Sequence, residues 1–261
     1  MPLTQTDLDD LRFAKSLLEN PGLAARITGV IGKPLEKGFE LLPERWSNQI
    51  NEAAQAALNK ALTVAVATLD DRGPKPADNL LHKILVTATG VGGGVFGLPA
   101  LPVELPISTT IMLRSIVDIA RSEGERIKSI ESKLACIEVF ALGGRAKSDD
   151  AAPTGYFAVR AAMARAMSEA AEYIAERGIV QEGAPAIVRL IGQVASRFGV
   201  TVSEKLAVQA APVIGAIGGG VVNLLFIDHF QDMARGHFIV RRLERAYGAD
   251  EVQNAYISLP T

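Results

Sequence analysis

Two stretches constrain this chain more than any other part of it. Ile84 to Val103 carries no charge over twenty residues, and Leu206 to Ile227 carries none over twenty-two. Each is long enough to cross a bilayer as a helix. Their composition argues for something else. The first holds Gly90, Gly92, Gly93, Gly94 and Gly97, and Pro99 and Pro102 cut it short. The second has a ridge of small residues, Ala207, Ala211, Gly215 and Gly219, with Asn223 next in the series. Missing side chains let two helix backbones approach closely, so the runs are expected to pack on each other. Helices that are apolar all round occur in large cores as well as in membranes. The first expectation is therefore a buried pair inside a helical bundle. Peripheral membrane association and true spanning stay open as alternatives.

The rest of the chain reads as helices in tandem. Leu8, Leu11, Leu17 and Leu18 mark one face over 4–20, with Thr6 as N-cap and Pro21-Gly22 as the stop. A short helix is predicted over 22–31, and a longer one, with Trp46, Ile50, Ala53, Ala57 and Leu58 on one face, over 44–69. The apolar run supplies a helix over 79–96, a turn at Gly97 to Pro102 and a second helix over 105–122. Ser122 to Glu125 is a stop-and-restart signal, and a helix over 125–141 follows, although IEVFAL alone also suits a strand. Val159, Met163, Met167, Ala170 and Ile174 recur at three or four residues in a helix over 156–177, closed by Gly178. A shorter helix is expected over 184–198, and a basic amphipathic one after the second run. No strands alternate with these segments. The fold class is all-α, a multi-helix bundle around two Gly-rich apolar helical segments. It forms one domain over 1–261, with Gly143 to Gly155 as the candidate mobile loop.

Composition excludes several functions. The net charge is −2, so nothing points to nucleic acid. Cys136 is the single cysteine, which rules out an internal disulfide, fits a reducing compartment and suits a core position. The first residues hold acids and no apolar signal segment, so the expected location is cytoplasmic, with the inner face of the cell membrane as the peripheral variant. There is no phosphate-binding lysine loop, no dinucleotide fingerprint and no nucleophile elbow. No cofactor and no resident metal are expected.

Candidate binding residues come from charges in unusual places. Glu104 lies between Pro102 and Pro106 in apolar surroundings. A buried carboxylate needs a partner, and the start of a helix also favours an acid; the second reading is preferred. Arg114 and Asp118 have the spacing of an i,i+4 ion pair. Asp228, His229 and Asp232 could share a helix face as metal ligands, while His237 lies about 12 Å further along such a helix. Arg235, Arg241, Arg242 and Arg245 suggest contact with lipid headgroups or an acidic partner, although Asp232 and Glu244 dilute the basic face.

Four segments in order carry a resemblance: GLPALPVELPISTTIMLRSIVDIARSEGE, LACIEVFALGG, GYFAVR and FIDHFQDMARGHFIVRRLERAYG. Together they resemble the EcsC protein family of bacteria, named for a protein encoded with an ATP-binding-cassette transporter. The resemblance implies a helical, hydrophobic bacterial protein acting beside membrane transport or secretion, and no particular reaction. Tyr156 with Arg160, and Phe238 with Arg242, fit the family pattern as candidate positions. The expected function is thus non-enzymatic: binding a membrane lipid or apolar ligand through the Gly-rich hairpin, with a membrane-transport protein as partner. One alternative is a metal-dependent enzyme using Glu104 with Asp228, His229 and Asp232. Another is an oligomeric scaffold in which the glycine ridges join copies of the chain.

Overall fold

The first helix, α1 (Gln5–Leu18), starts where Thr4 offers its hydroxyl to the Asp7 backbone N–H. The cap is Thr4 rather than the expected Thr6. The computed structural model describes residues 2–19, 23, 26, 29, 45–69, 101–144, 155–178, 180–181, 183–210 and 218–260. Most of the Gly-rich hairpin, the ridge positions Ala211 and Gly215, and the loop 145–154 lie outside the described residues.

Eight helices are described, and no strand is found among the described residues. The others are α2 (Arg45–Thr68), α3 (Leu101–Ser122), α4 (Ile130–Leu142), α5 (Gly155–Arg177), α6 (Pro185–Ala210), α7 (Gly218–Tyr247) and α8 (Ala249–Ser258). The all-α class stands. The faces read from periodicity in α2 and α5 are the buried ones: Ile50, Ala53, Ala57 and Leu58 in the first, Val159, Met163, Ala170 and Ile174 in the second. Helix α3 begins at Leu101, earlier than expected, since a proline is tolerated in a first turn whose N–H groups have no partner anyway. Helix α6 runs on to Ala210, and α7 joins the end of the second apolar run to the basic segment without a break. Helix α8 has no counterpart in the sequence reading. Gly248, at φ +92°, turns the chain into it.

Among the described residues the centre of the bundle is α4. It packs on α2, α3, α5, α6 and α7, and every residue from Ser132 to Ala141 is buried. Its start is set by Ser129, which accepts from the Ser132 N–H, and the preceding turn uses Gly124 at φ +77°. IEVFAL is therefore helical. Continuous apolar composition marks full burial in either geometry, and the Ser129 cap selects the helix. A ring cluster locks α4 to its neighbours. Phe140 of α4 meets Phe198 of α6 at 5.1 Å and Phe230 of α7 at 5.4 Å, and Phe226 joins Phe230 at 5.1 Å.

Elsewhere single residues fix the crossings. Gly236 lies inside α7, where a side chain would meet Leu18 Cγ at 2.7 Å and the Ala14 carbonyl at 3.0 Å. Its bare backbone lets α1 and α7 cross closely. Lys15 of α1 is buried and donates to the carbonyls of Tyr256 (3.0 Å) and Leu259 (2.6 Å), satisfying the end of α8. No described helix is long and apolar enough to cross a membrane.

Candidate ligand-binding site

Glu131, Leu134 and Glu138 lie at i, i+3 and i+7 along α4 and so share one face. That face looks across a cleft of about 580 Å³ at Phe157, Arg160, Ala161, Ala164 and Met167 of α5. Arg241 and Glu244 of α7 and Ala249 and Gln253 of α8 complete the walls. One side is small and apolar because α5 turns alanines toward it. The other is built from ionisable groups.

The polar wall is organised by pairing. Arg160 Nη1 and Nη2 donate to the two carboxylate oxygens of Glu244 at 2.7 and 3.0 Å, the bidentate fork that makes arginine pairs strong. Burial works against the Arg160 charge, but Tyr156 and Glu244 more than compensate, and its pKa lies above the ordinary value. Arg241 donates from Nε to Glu125 at 2.8 Å. Glu125 also accepts from Ser132 Oγ at 2.6 Å and from Arg245. Burial would raise the Glu125 pKa, yet these hydrogen bonds and charges hold it below the usual carboxylate value.

Behind Arg160 runs a chain of buried groups. Arg160 Nη1 donates to the Tyr156 hydroxyl at 3.3 Å, and that hydroxyl lies 2.9 Å from His237 Nδ1. Arginine only donates, so the tyrosine oxygen accepts from it and its own proton goes to Nδ1. His237 then carries its hydrogen on Nε2, which points toward Glu138 Oε2 at 3.6 Å. Nε2 has no hydrogen-bond partner. Burial holds His237 neutral, with its pKa well below 6.5, and raises the Glu138 carboxyl above the ordinary carboxylate value, against the lowering effect of the Arg160 and Arg241 charges. No hydrogen bond reaches the Glu138 carboxyl among the described residues, and its side chain is only 7% exposed. An unsatisfied carboxyl in the most buried helix costs stability, and it opens into the cleft.

The structure brings together Tyr156, Arg160 and His237 from the sequence candidates and separates the others. Glu104 sits in the first turn of α3, as a helix-start acid, and also accepts from buried Lys205 at 2.9 Å. Arg114 is exposed, and the ion pair Asp118 makes is with Arg121 at 2.8 Å rather than with Arg114. The i,i+3 partner wins because it shares the inward side of α3. His229 is buried with Nε2 2.8 Å from the Gly143 carbonyl, while Asp232 pairs with Arg26 at 2.8 Å. No group of three or more metal-ligating side chains occurs among the described residues. The arginines of α7 are matched by acids: Arg235 by Asp232 at 3.7 Å, Arg242 by Asp10 and by Glu123 at 2.9 Å. Cys136 is fully buried, and burial keeps its thiol protonated.

Glu138 was not among the sequence candidates. The available signal was one acid inside the apolar segment LACIEVFAL, where every neighbour is a core residue. The profile of the EcsC protein family matches this chain over residues 6–243. The chain belongs to the EcsC family. No curated protein and no solved structure matches it. The EcsC match spans Glu138, Tyr156, Arg160, His237 and Arg241, and Glu244 follows directly after it.

Proposed function

We propose that this EcsC-family protein is a non-enzymatic binding protein for an amphiphilic molecule. The observation that carries the reading is the cleft: small apolar side chains on α5 face a wall of ionisable groups, over about 580 Å³. Sites for small ligands are mostly apolar with a few placed polar groups. The site differs from the Gly-rich hairpin that the sequence favoured. The test is titration with N-phenyl-1-naphthylamine, an uncharged fluorescent probe of apolar sites. Ala164 is exposed on the cleft wall, so Ala164→Trp fills the space without entering the core. The variant is expected to weaken probe binding by roughly tenfold, or ~1.4 kcal/mol. Unchanged binding would sink the reading.

The same protein is proposed to act in the cytoplasm at the inner face of the membrane, beside a transport protein, as its family's naming suggests. A second feature supports the membrane placement. Lys205 of α6 bonds Glu104 and lies 5.0 Å over the ring of Phe226, so the starts of α3 and α7 meet the end of α6. At this end Val103, Ile107 and Val221 are exposed. Flotation with phosphatidylcholine vesicles is expected to carry the protein, and Val103→Asp with Ile107→Asp to release it. Equal recovery of both proteins in the vesicle layer would exclude this surface.

A further inference from the structure

The ionisable groups of the cleft are unequally satisfied, and Glu138 is the buried one left without a hydrogen bond among the described residues. The acids of the cleft are Glu131, Glu138 and Glu244; its bases are Arg160 and Arg241. Both bases are taken, Arg160 by Glu244 and Arg241 by Glu125. An anionic headgroup would therefore have to break a charged pair to find a cation, which is costly for groups this buried. Glu138 is the reverse case. Its carboxyl is nine-tenths buried, receives no hydrogen bond among the described residues and lines the cleft. The one polar atom aimed at it, His237 Nε2, stands off at 3.6 Å.

Resting on the binding reading above, we propose that the ligand of this cleft is an amphiphilic amine, its nitrogen on Glu138 and its apolar body along Ala161, Ala164 and Met167. An alkyl amine reaches the cleft as its ammonium ion and pairs with Glu138 as the carboxylate, and a proton held by the carboxyl leaves to solvent as the pair forms. The pair satisfies the carboxyl, and the ammonium's remaining hydrogens face the cleft rather than the core. His237 Nε2–H is placed to donate to the other side of the carboxylate once it forms. Glu138 is thus a binding residue, and His237, held by Tyr156, positions it.

The experiment displaces N-phenyl-1-naphthylamine, an uncharged fluorescent probe, from the full chain with octylamine, octan-1-ol and octanoate, each below its solubility or micellar limit. Octylamine is expected to displace the probe at concentrations roughly tenfold or more below those of the alcohol, a difference of one decade in affinity. Octanoate should be the weakest. Glu138→Gln should bring octylamine level with octan-1-ol and leave the alcohol unchanged. That variant keeps the shape and the neutral charge that burial already favours, so it should melt no lower than the parent at neutral pH. The amine assignment is overturned if octanoate or the alcohol competes as well as octylamine, or if the amine preference survives in Glu138→Gln. If alcohol and amine both bind while Ala164→Trp blocks them, the cleft stands and only its charge preference falls. If none of the three displaces the probe, the cleft and the amine fall together.

Discussion

Phe230→Ala is expected to lower the free energy of unfolding by about 3–5 kcal/mol, the cost of emptying a large aromatic site in a packed core. Phe230 is 1% exposed and meets three other phenyl rings: Phe140 at 5.4 Å, Phe198 at 5.5 Å and Phe226 at 5.1 Å. Those rings belong to α4, α6 and α7, so the cavity would open where three helices join. It also reaches beyond the rings. A side chain placed on Gly143 would meet Phe230 Cε1 at 2.5 Å, which shows how tightly the end of α4 is seated on it. A domain of this kind has about 5–15 kcal/mol in hand. The variant should therefore fold, with a clear shift in a urea transition followed by far-UV circular dichroism. Phe230→Leu keeps most of the volume and should cost much less, under about 1.5 kcal/mol if the site repacks. Similar losses for alanine and leucine would mean that ring geometry, not filled volume, dominates there.

Glu244→Ala should cost nearly as much, by a different mechanism. It leaves the Arg160 guanidinium, 22% exposed, without the carboxylate that takes both of its Nη groups. Breaking a buried ion pair from one side costs about 3–5 kcal/mol, and the partial exposure of this pair places it near the lower end, about 3 kcal/mol. The loss should propagate, because Arg160 Nη1 also donates to the Tyr156 hydroxyl that orients His237. The double variant Arg160→Met with Glu244→Leu removes both charges and should recover most of the stability. If the double variant is no more stable than Glu244→Ala, the uncompensated charge is not the cause. Thermal melts at low and at high salt give a further check, since a lone arginine is screened only where solvent reaches it.

Helix positions were legible in the long helices that keep one face exposed, though not in the ten-residue α8. In α2 and α5, residues three and four apart alternate between core and solvent, and the sequence records that alternation. In α4 it was not legible, because a helix buried on all sides has no contrast between faces. The same blindness hid Glu138, a single acid in an apolar stretch. Tyr156 and Arg160 were visible as a one-turn pair, since that spacing is local. Their partners, His237 and Glu244, lie on α7. Arg241, Arg242 and Arg245 looked like a cationic face because the acids that neutralise them, Asp10, Glu123 and Glu125, are more than a hundred residues away.

The sequence by itself determined the fold class, the family, the inward faces of the amphipathic helices and the absence of a disulfide framework. These follow from local periodicity, from composition and from ordered segments along one chain. Only the tertiary structure decided which helix is central, which charges are paired and where a cleft opens. Those depend on which helices meet. A buried charge takes its state from whatever it meets, not from its neighbours in sequence.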